Sequence, residues 1–266
     1  MVQERRVWIE RAVNSLADDL VSPVFENWNR CARYIEHILE VLRAAREFGI
    51  KTREVAALSE HVGDYLARIG RVEEAVHATE RSVELYSTLF GRDDPAYATV
   101  LHSLGSLYKR IDRIDEAESL LSEAMAIRLK HFGQEHTAYS VSLSALAAID
   151  IEKGRFEEAE NKYERAIKIR EQEGDAYAQL EEENNLAQLY LRLGRFTEAE
   201  RIYRRTVQVR KSHNGKETPD YARALHNHAV VLGELGKFDQ SLSAYAEAME
   251  VTAETLGKGH PDHAIG

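Results

Sequence analysis

The sequence predicts an all-α solenoid: a right-handed superhelical stack of antiparallel helix pairs. Three series of markers, kept in step along the 266 residues, carry that prediction. A small residue recurs at Ala75, Ala117, Ala159, Ala199 and Ser241, in steps of 42, 42, 40 and 42. A second small residue stands twelve positions ahead of each: Gly63, Gly105, Ala147, Ala187 and Ala229. A glycine closes each unit, at Gly91, Gly133, Gly174, Gly215 and Gly257. Such self-similarity marks units that bury an apolar face only by stacking on their neighbours. Composition points the same way, with 4 prolines in the chain and Ala, Leu, Glu and Arg dominant.

Residues 1–52 read as a degenerate leading helical hairpin. FENWNRCARYIEHILEVL aligns with GRFEEAENKYERAIKI, so Trp28 stands for the aromatic and Cys31 for the central alanine. Cys31 is therefore expected to be a small core residue. Five full units follow over 53–266, at about 53–94, 95–136, 137–175, 176–218 and 219–266. Each first helix, such as YATVLHSLGSLYKRI, spaces its apolar and small residues three and four apart. It stops at Gly70, Gly154, Gly194 or Gly236, where glycine takes the left-handed conformation without a Cβ penalty. Asp112 fills that place in the second unit.

A basic residue and an apolar one come next: Val72, Ile114, Phe156, Phe196 or Phe238. Acidic residues such as Glu73, Glu74, Glu157 and Glu158 then open the second helix, where its dipole favours negative charge. Small residues let paired helices approach, and Tyr163, Tyr203 and Tyr245 fill the space one turn on. The linkers GRDDPAY and GKETPDY place Pro95 and Pro219 just inside the next helix, with Asp94 and Thr218 as N-caps. The 40-residue step loses its residues around the linker at Gly174, so helix faces keep register. Two polar residues occupy core positions. Asp150 stands where Tyr108 and Tyr190 stand, and His228 replaces Leu104, Leu146 and Leu186. Both are expected to be hydrogen-bonded or partly exposed.

Several function classes are disfavoured. The net charge of −10 opposes a general nucleic-acid surface. No apolar run approaches membrane-spanning length, and MVQERRVWIERAV is charged from its fourth residue, unlike a signal peptide. The single cysteine excludes an intrachain disulfide and fits a reducing, cytoplasmic compartment. No HExxH, nucleophile motif or Gly-rich phosphate loop occurs, so neither catalysis nor a cofactor is expected. HPDH at His260–His263 reads as a linker rather than a metal pair, and RRTVQVRK at 204–211 as a solvated outer face. Glu181, Glu182 and Glu183 read as a solvated acidic turn.

The helix pairs with LGxxY (Leu104, Gly105, Tyr108) and AxxxY (Ala159, Tyr163; Ala199, Tyr203) resemble tetratricopeptide repeats. The long unit, with LGKGHPDHA at 256–264, IREQ at 169–172 and NNLAQLY at 184–190, looks like the kinesin light chain subtype. WIERAVNSLADD followed by FENWNRCARYIEHILEVL resembles the lead-in to such arrays in STAND-type signalling NTPases, whose C-terminal sensor arm they form.

The resemblance implies a concave groove lined by the first helices. The face opposite each packed Gly or Ala puts thirteen candidates there: His102, Ser106, Lys109, Arg110, Val141, Ala148, Ile151, Asn184, Asn185, Gln188, Arg192, His226 and Asn227. In light chain repeats, asparagines at the places of Asn184, Asn185 and Asn227 contact peptides. The middle unit is apolar and its neighbours polar, which suits an extended peptide anchored centrally and held by amide and charged contacts. The expected function is a non-catalytic sensor or interaction arm binding a peptide or protein segment. A stand-alone cargo or complex adaptor and a peptide-sensing regulator are the alternatives. The final helix spreads apolar residues widely, so self-association or continuation of the array through the C-terminal end is also expected.

Overall fold

The computed structural model describes residues 2–19, 28–174, 176–214 and 218–256. Among the described residues there are twelve α-helices and no strand. In chain order they are α1 (Val2–Asp19), α2 (Trp28–Glu47), α3 (Arg53–Arg68), α4 (Val72–Leu89), α5 (Pro95–Arg110), α6 (Ile114–Phe132), α7 (Thr137–Glu152), α8 (Phe156–Glu173), α9 (Ala176–Arg192), α10 (Phe196–Asn214), α11 (Pro219–Glu234) and α12 (Phe238–Leu256). They form two compact units, Met1–Glu152 and Lys153–Gly266.

Local signals account for the helix ends. Gly70, Gly194 and Gly236 adopt φ of 83°, 72° and 71°, and Asp112 takes the same left-handed turn at 62°. One residue later a backbone N–H reaches back to close the turn: Arg71 to Leu66 O at 2.9 Å, Arg113 to Tyr108 O at 2.9 Å, Arg195 to Tyr190 O at 2.8 Å and Lys237 to Leu232 O at 2.9 Å. The basic side chains then reach forward, as when Arg71 Nε donates to Glu74 at 2.6 Å and Arg195 Nε to Glu198 at 2.9 Å. Arg113 and Arg195 lie over the rings of Tyr108 and Tyr190. Asp94 accepts from Ala96 N at 2.7 Å and Thr218 from Tyr221 N at 3.3 Å, each followed by a helix-opening proline. Thr52 caps α3 in the same way.

In the first unit α3 pairs with α4 and α5 with α6, α7 docks on α6, and α1 and α2 pack on each other and on α3. The core runs through Ile38, Ile50, Leu58, Leu66, Leu85, Leu101, Leu121 and Ile149, all enclosed. Gly105 shows why the crossing point needs a small residue. A Cβ there would stand 2.8 Å from Leu121 Cγ and 3.3 Å from the carbonyl oxygen of Ala117. In the second unit α9 packs between α8 and α10, and α11 between α10 and α12. Ala159, Ala187, Ala199 and Ala229 are fully enclosed, as are Tyr203 and Tyr221. Where the marker is serine, the contact between the two series is explicit: Ser241 Oγ donates to Ala229 O at 2.7 Å.

The two irregular core positions have partners. His228 is half-buried with Nε2 3.4 Å from Glu200 Oε1, and Asp150 is buried with polar company. Phe238, Leu242 and Met249 form an exposed apolar stripe along α12. Cys31 and Trp28 have side chains outside those described. So are Gly215, Gly257 and HPDH at 260–263 outside the described residues.

Candidate functional site

Within the first unit the first helices α3, α5 and α7 lie side by side, and they approach one another more closely than α4 approaches α6. They form one continuous layer of the unit. Ser106, Lys109, Val141, Ala148 and Ile151 sit on it half-buried, although Leu104, Leu107, Leu146 and Ile149 of the same helices are enclosed. This juxtaposes a small apolar strip on α7 with hydroxyl and ammonium groups on α5. Arg110 has a structural task as well: its Nη1 donates to the Ala67 carbonyl at 2.9 Å, closing the end of α3.

His102 is set deeper. Its ring is half-buried and Nδ1 is enclosed with no hydrogen-bond partner. Burial, assisted by the Arg128 charge, pushes its pKa down to about 4. The unfolded chain, with a histidine near 6.5, takes up this proton first, so acidification from pH 6.5 towards 4 favours unfolding. Replacing His102 with glutamine is expected to flatten the fall in urea midpoint over that window. An unchanged slope would show that the ring is not enclosed.

In the second unit the candidates divide. Gln188 and Arg192 are exposed, with the Arg192 guanidinium 5.7 Å from the Phe156 ring, while Asn227 is half-buried. Asn184 accepts from Thr206 Oγ1 at 3.4 Å and so turns toward α10, and Asn185 donates to Glu182 at 3.5 Å. His226 rests edge-on against Tyr245 of α12, with ring centres 5.3 Å apart.

Two readings of charged segments are corrected. Glu181–Glu183 is no solvated turn: it lies inside α9, and Glu182 and Glu183 are buried. Glu183 accepts from Gln179 Nε2 at 2.9 Å and pairs with Arg205. The repeat register held the signal, because the same positions two units earlier are the core residues Val100 and Leu101. Within 204–211, Arg210 is also buried, 3.0 Å from Asp220 and 3.7 Å from Glu181, with its guanidinium over the Tyr177 ring. Among the described residues no group of three metal-ligating side chains converges, and no helix is long and apolar enough to cross a membrane.

The family model for the tetratricopeptide repeat matches residues 54–130, 112–172 and 177–254, most of the chain. The chain belongs to the tetratricopeptide repeat family. No curated protein matches the sequence significantly. Among solved structures, BtubC from P. vanneervenii is 22% identical at a TM-score of 0.64, the match covering 90% of this chain and 94% of BtubC. A Rap protein complexed with competence and sporulation factor is 17% identical at a TM-score of 0.69, covering 82% of this chain and 59% of its own. The TPR-like repeats of a Podosopora anserina kinesin light chain are 22% identical at a TM-score of 0.62, over 74% of this chain and 94% of theirs. At these identities the likeness establishes the fold. Tetratricopeptide pairing also explains the candidates that face a partner helix: first-helix side chains within one turn of the crossing point are shared between the open face and the packed one.

Proposed function

We propose that this chain is a non-catalytic scaffold that recognises an extended peptide or protein segment on its first-helix layer. The observation that carries the reading is the half-buried, partly accessible strip of Val141, Ala148 and Ile151 beside the polar Ser106 and Lys109, on helices whose opposite faces are enclosed. Solenoids use extended surfaces of this kind for binding. One structural neighbour is a Rap protein with competence and sporulation factor, and another is a plasmid conjugation regulator with the Phr* peptide, 14% identical at a TM-score of 0.64. Those ligands belong to those proteins, and they support peptide recognition as one use of this fold. Residues 1–52 are then the degenerate leading unit and 53–266 the five-unit binding array, working in the cytoplasm as a sensor or interaction arm.

Selection from a random peptide library tests this. The wild-type chain is expected to enrich a peptide family, and Ala148→Arg, which projects charge from the strip, to lose it while melting like the parent. Undiminished binding by a folded Ala148→Arg would overturn the reading. The α12 stripe of Phe238, Leu242 and Met249 is proposed as a second surface, where a further copy or a continuation of the array packs. Concentration-dependent sedimentation that Leu242→Lys abolishes is the expected result, and a strict monomer at all concentrations removes the self-association.

A further inference from the structure

Arg128, near the end of α6, is 6% exposed and carries a permanent charge. Among the described residues its polar partner is the Ser142 hydroxyl, which Nη1 reaches at 2.9 Å, and no carboxylate pairs with it. Asp93 pairs with Lys130 and His131, and Asp94 caps α5. Buried charges are ordinarily paired, since an uncompensated one carries a large desolvation cost. Arg128 lines an open depression of about 320 Å³ at the N-terminal ends of α5 and α7.

The repeat supplies an internal comparison. Arg210 holds the same register position two units on, equally buried, and is neutralised by Asp220 and Glu181 beside the Tyr177 ring. The register equivalents of Asp220, Glu181 and Tyr177 around Arg128 are Ala138, Thr99 and Pro95. All three line the depression. The space in front of Arg128 is thus the space that two side-chain carboxylates serve at Arg210, emptied by substitution to small neutral residues. Its remaining walls, Ala96, Val141 and Phe132, are apolar and suit the methylenes of an acidic side chain. The enclosed Nδ1 of neutral His102 is a second polar group near Arg128 that lacks a partner.

We propose that this depression is a carboxylate subsite, in which Arg128 binds the aspartate or glutamate side chain of the segment held on the first-helix layer. The inference rests on the binding reading above and gives it a chemical preference: acidic peptides. Val141 belongs to both the strip and the depression, so a segment crossing α7 passes the mouth of the subsite.

The test uses the full chain labelled with 15N-arginine and two capped amino acids, N-acetyl-glutamate N-methylamide and its glutamine counterpart. Both have blocked ends, so only the side chain differs. The glutamate probe is expected to shift the Arg128 Nε–Hε resonance saturably, and the glutamine probe to leave it in place. Thr99→Glu with Ala138→Asp, which copies the surroundings of Arg210, is expected to abolish that shift and to raise the urea midpoint. In capped peptide pools, a fixed glutamate should bind about tenfold or more tightly than a fixed glutamine, as charge-assisted pairing implies. Arg128→Met should erase the preference. Equal shifts from the two probes, a shift that persists in the double variant, or a resonance moved by inorganic phosphate but not by the glutamate probe would each overturn the subsite. Equal binding of the two pools would overturn it while leaving the binding reading intact. Loss of library enrichment with the fragment shift preserved would do the reverse.

Discussion

Replacing Tyr203 by alanine is expected to destabilise the second unit by about 3–5 kcal/mol, the usual range for deleting an enclosed aromatic side chain. Tyr203 is 1% exposed, and burial pushes its phenol pKa upward. Its register equivalent in the second repeat is Leu121, the side chain that fills the crossing point against Gly105. The tyrosine therefore occupies the seam between α9 and α10, where the small Ala187 leaves room for a ring. Removing it opens a cavity that two helices held by many other contacts cannot collapse to fill. Urea unfolding followed by circular dichroism at 222 nm, the helical band, measures the loss. A midpoint close to the parent's would show that the ring does not fill the seam.

Ala199→Leu acts on the same seam in the opposite sense. Ala199 is fully enclosed, and the equivalent Ser241 touches the carbonyl of the facing small residue, so helix backbones meet closely at this point. A leucine has to push α9 away or adopt a strained rotamer, and overpacking of this kind typically costs about 1–3 kcal/mol. Ala159→Leu is expected to behave alike at the corresponding position of α8. If both variants unfold at the parental urea concentration, the assignment of the small-residue series to the helix crossing is wrong.

The marker series were legible because each reports a backbone requirement that the residue itself satisfies. A left-handed turn selects Gly70 or Asp112, a helix start selects Asp94 or Thr218, and a close crossing selects Gly105 or Ala199. The candidate surface was legible more coarsely. Its strip on α7 is half-buried while the opposite face is enclosed, because a first helix whose packed face is known has its other face known too. Asn184, His226 and Arg110 were harder to place. Their side chains are long enough to turn from the open face to Thr206, Tyr245 or the Ala67 carbonyl, and helical spacing sets the direction of a Cβ but not the end of a side chain.

The sequence by itself determined the helices, their caps, their pairing and the repeat that makes the chain a tetratricopeptide array, since these follow from local backbone chemistry and a period. Only the tertiary structure decided which charges are satisfied. Glu183 lies buried beside Arg205 and Gln179, and Arg210 between Asp220 and Glu181, whereas Arg128 in the same register faces Ala138 and Thr99. The physical reason is that the partners of a buried charge come from helices far apart in the chain. Whether it is neutralised within the fold or left for a ligand depends on what those helices bring within about 4 Å, the reach of an ion pair.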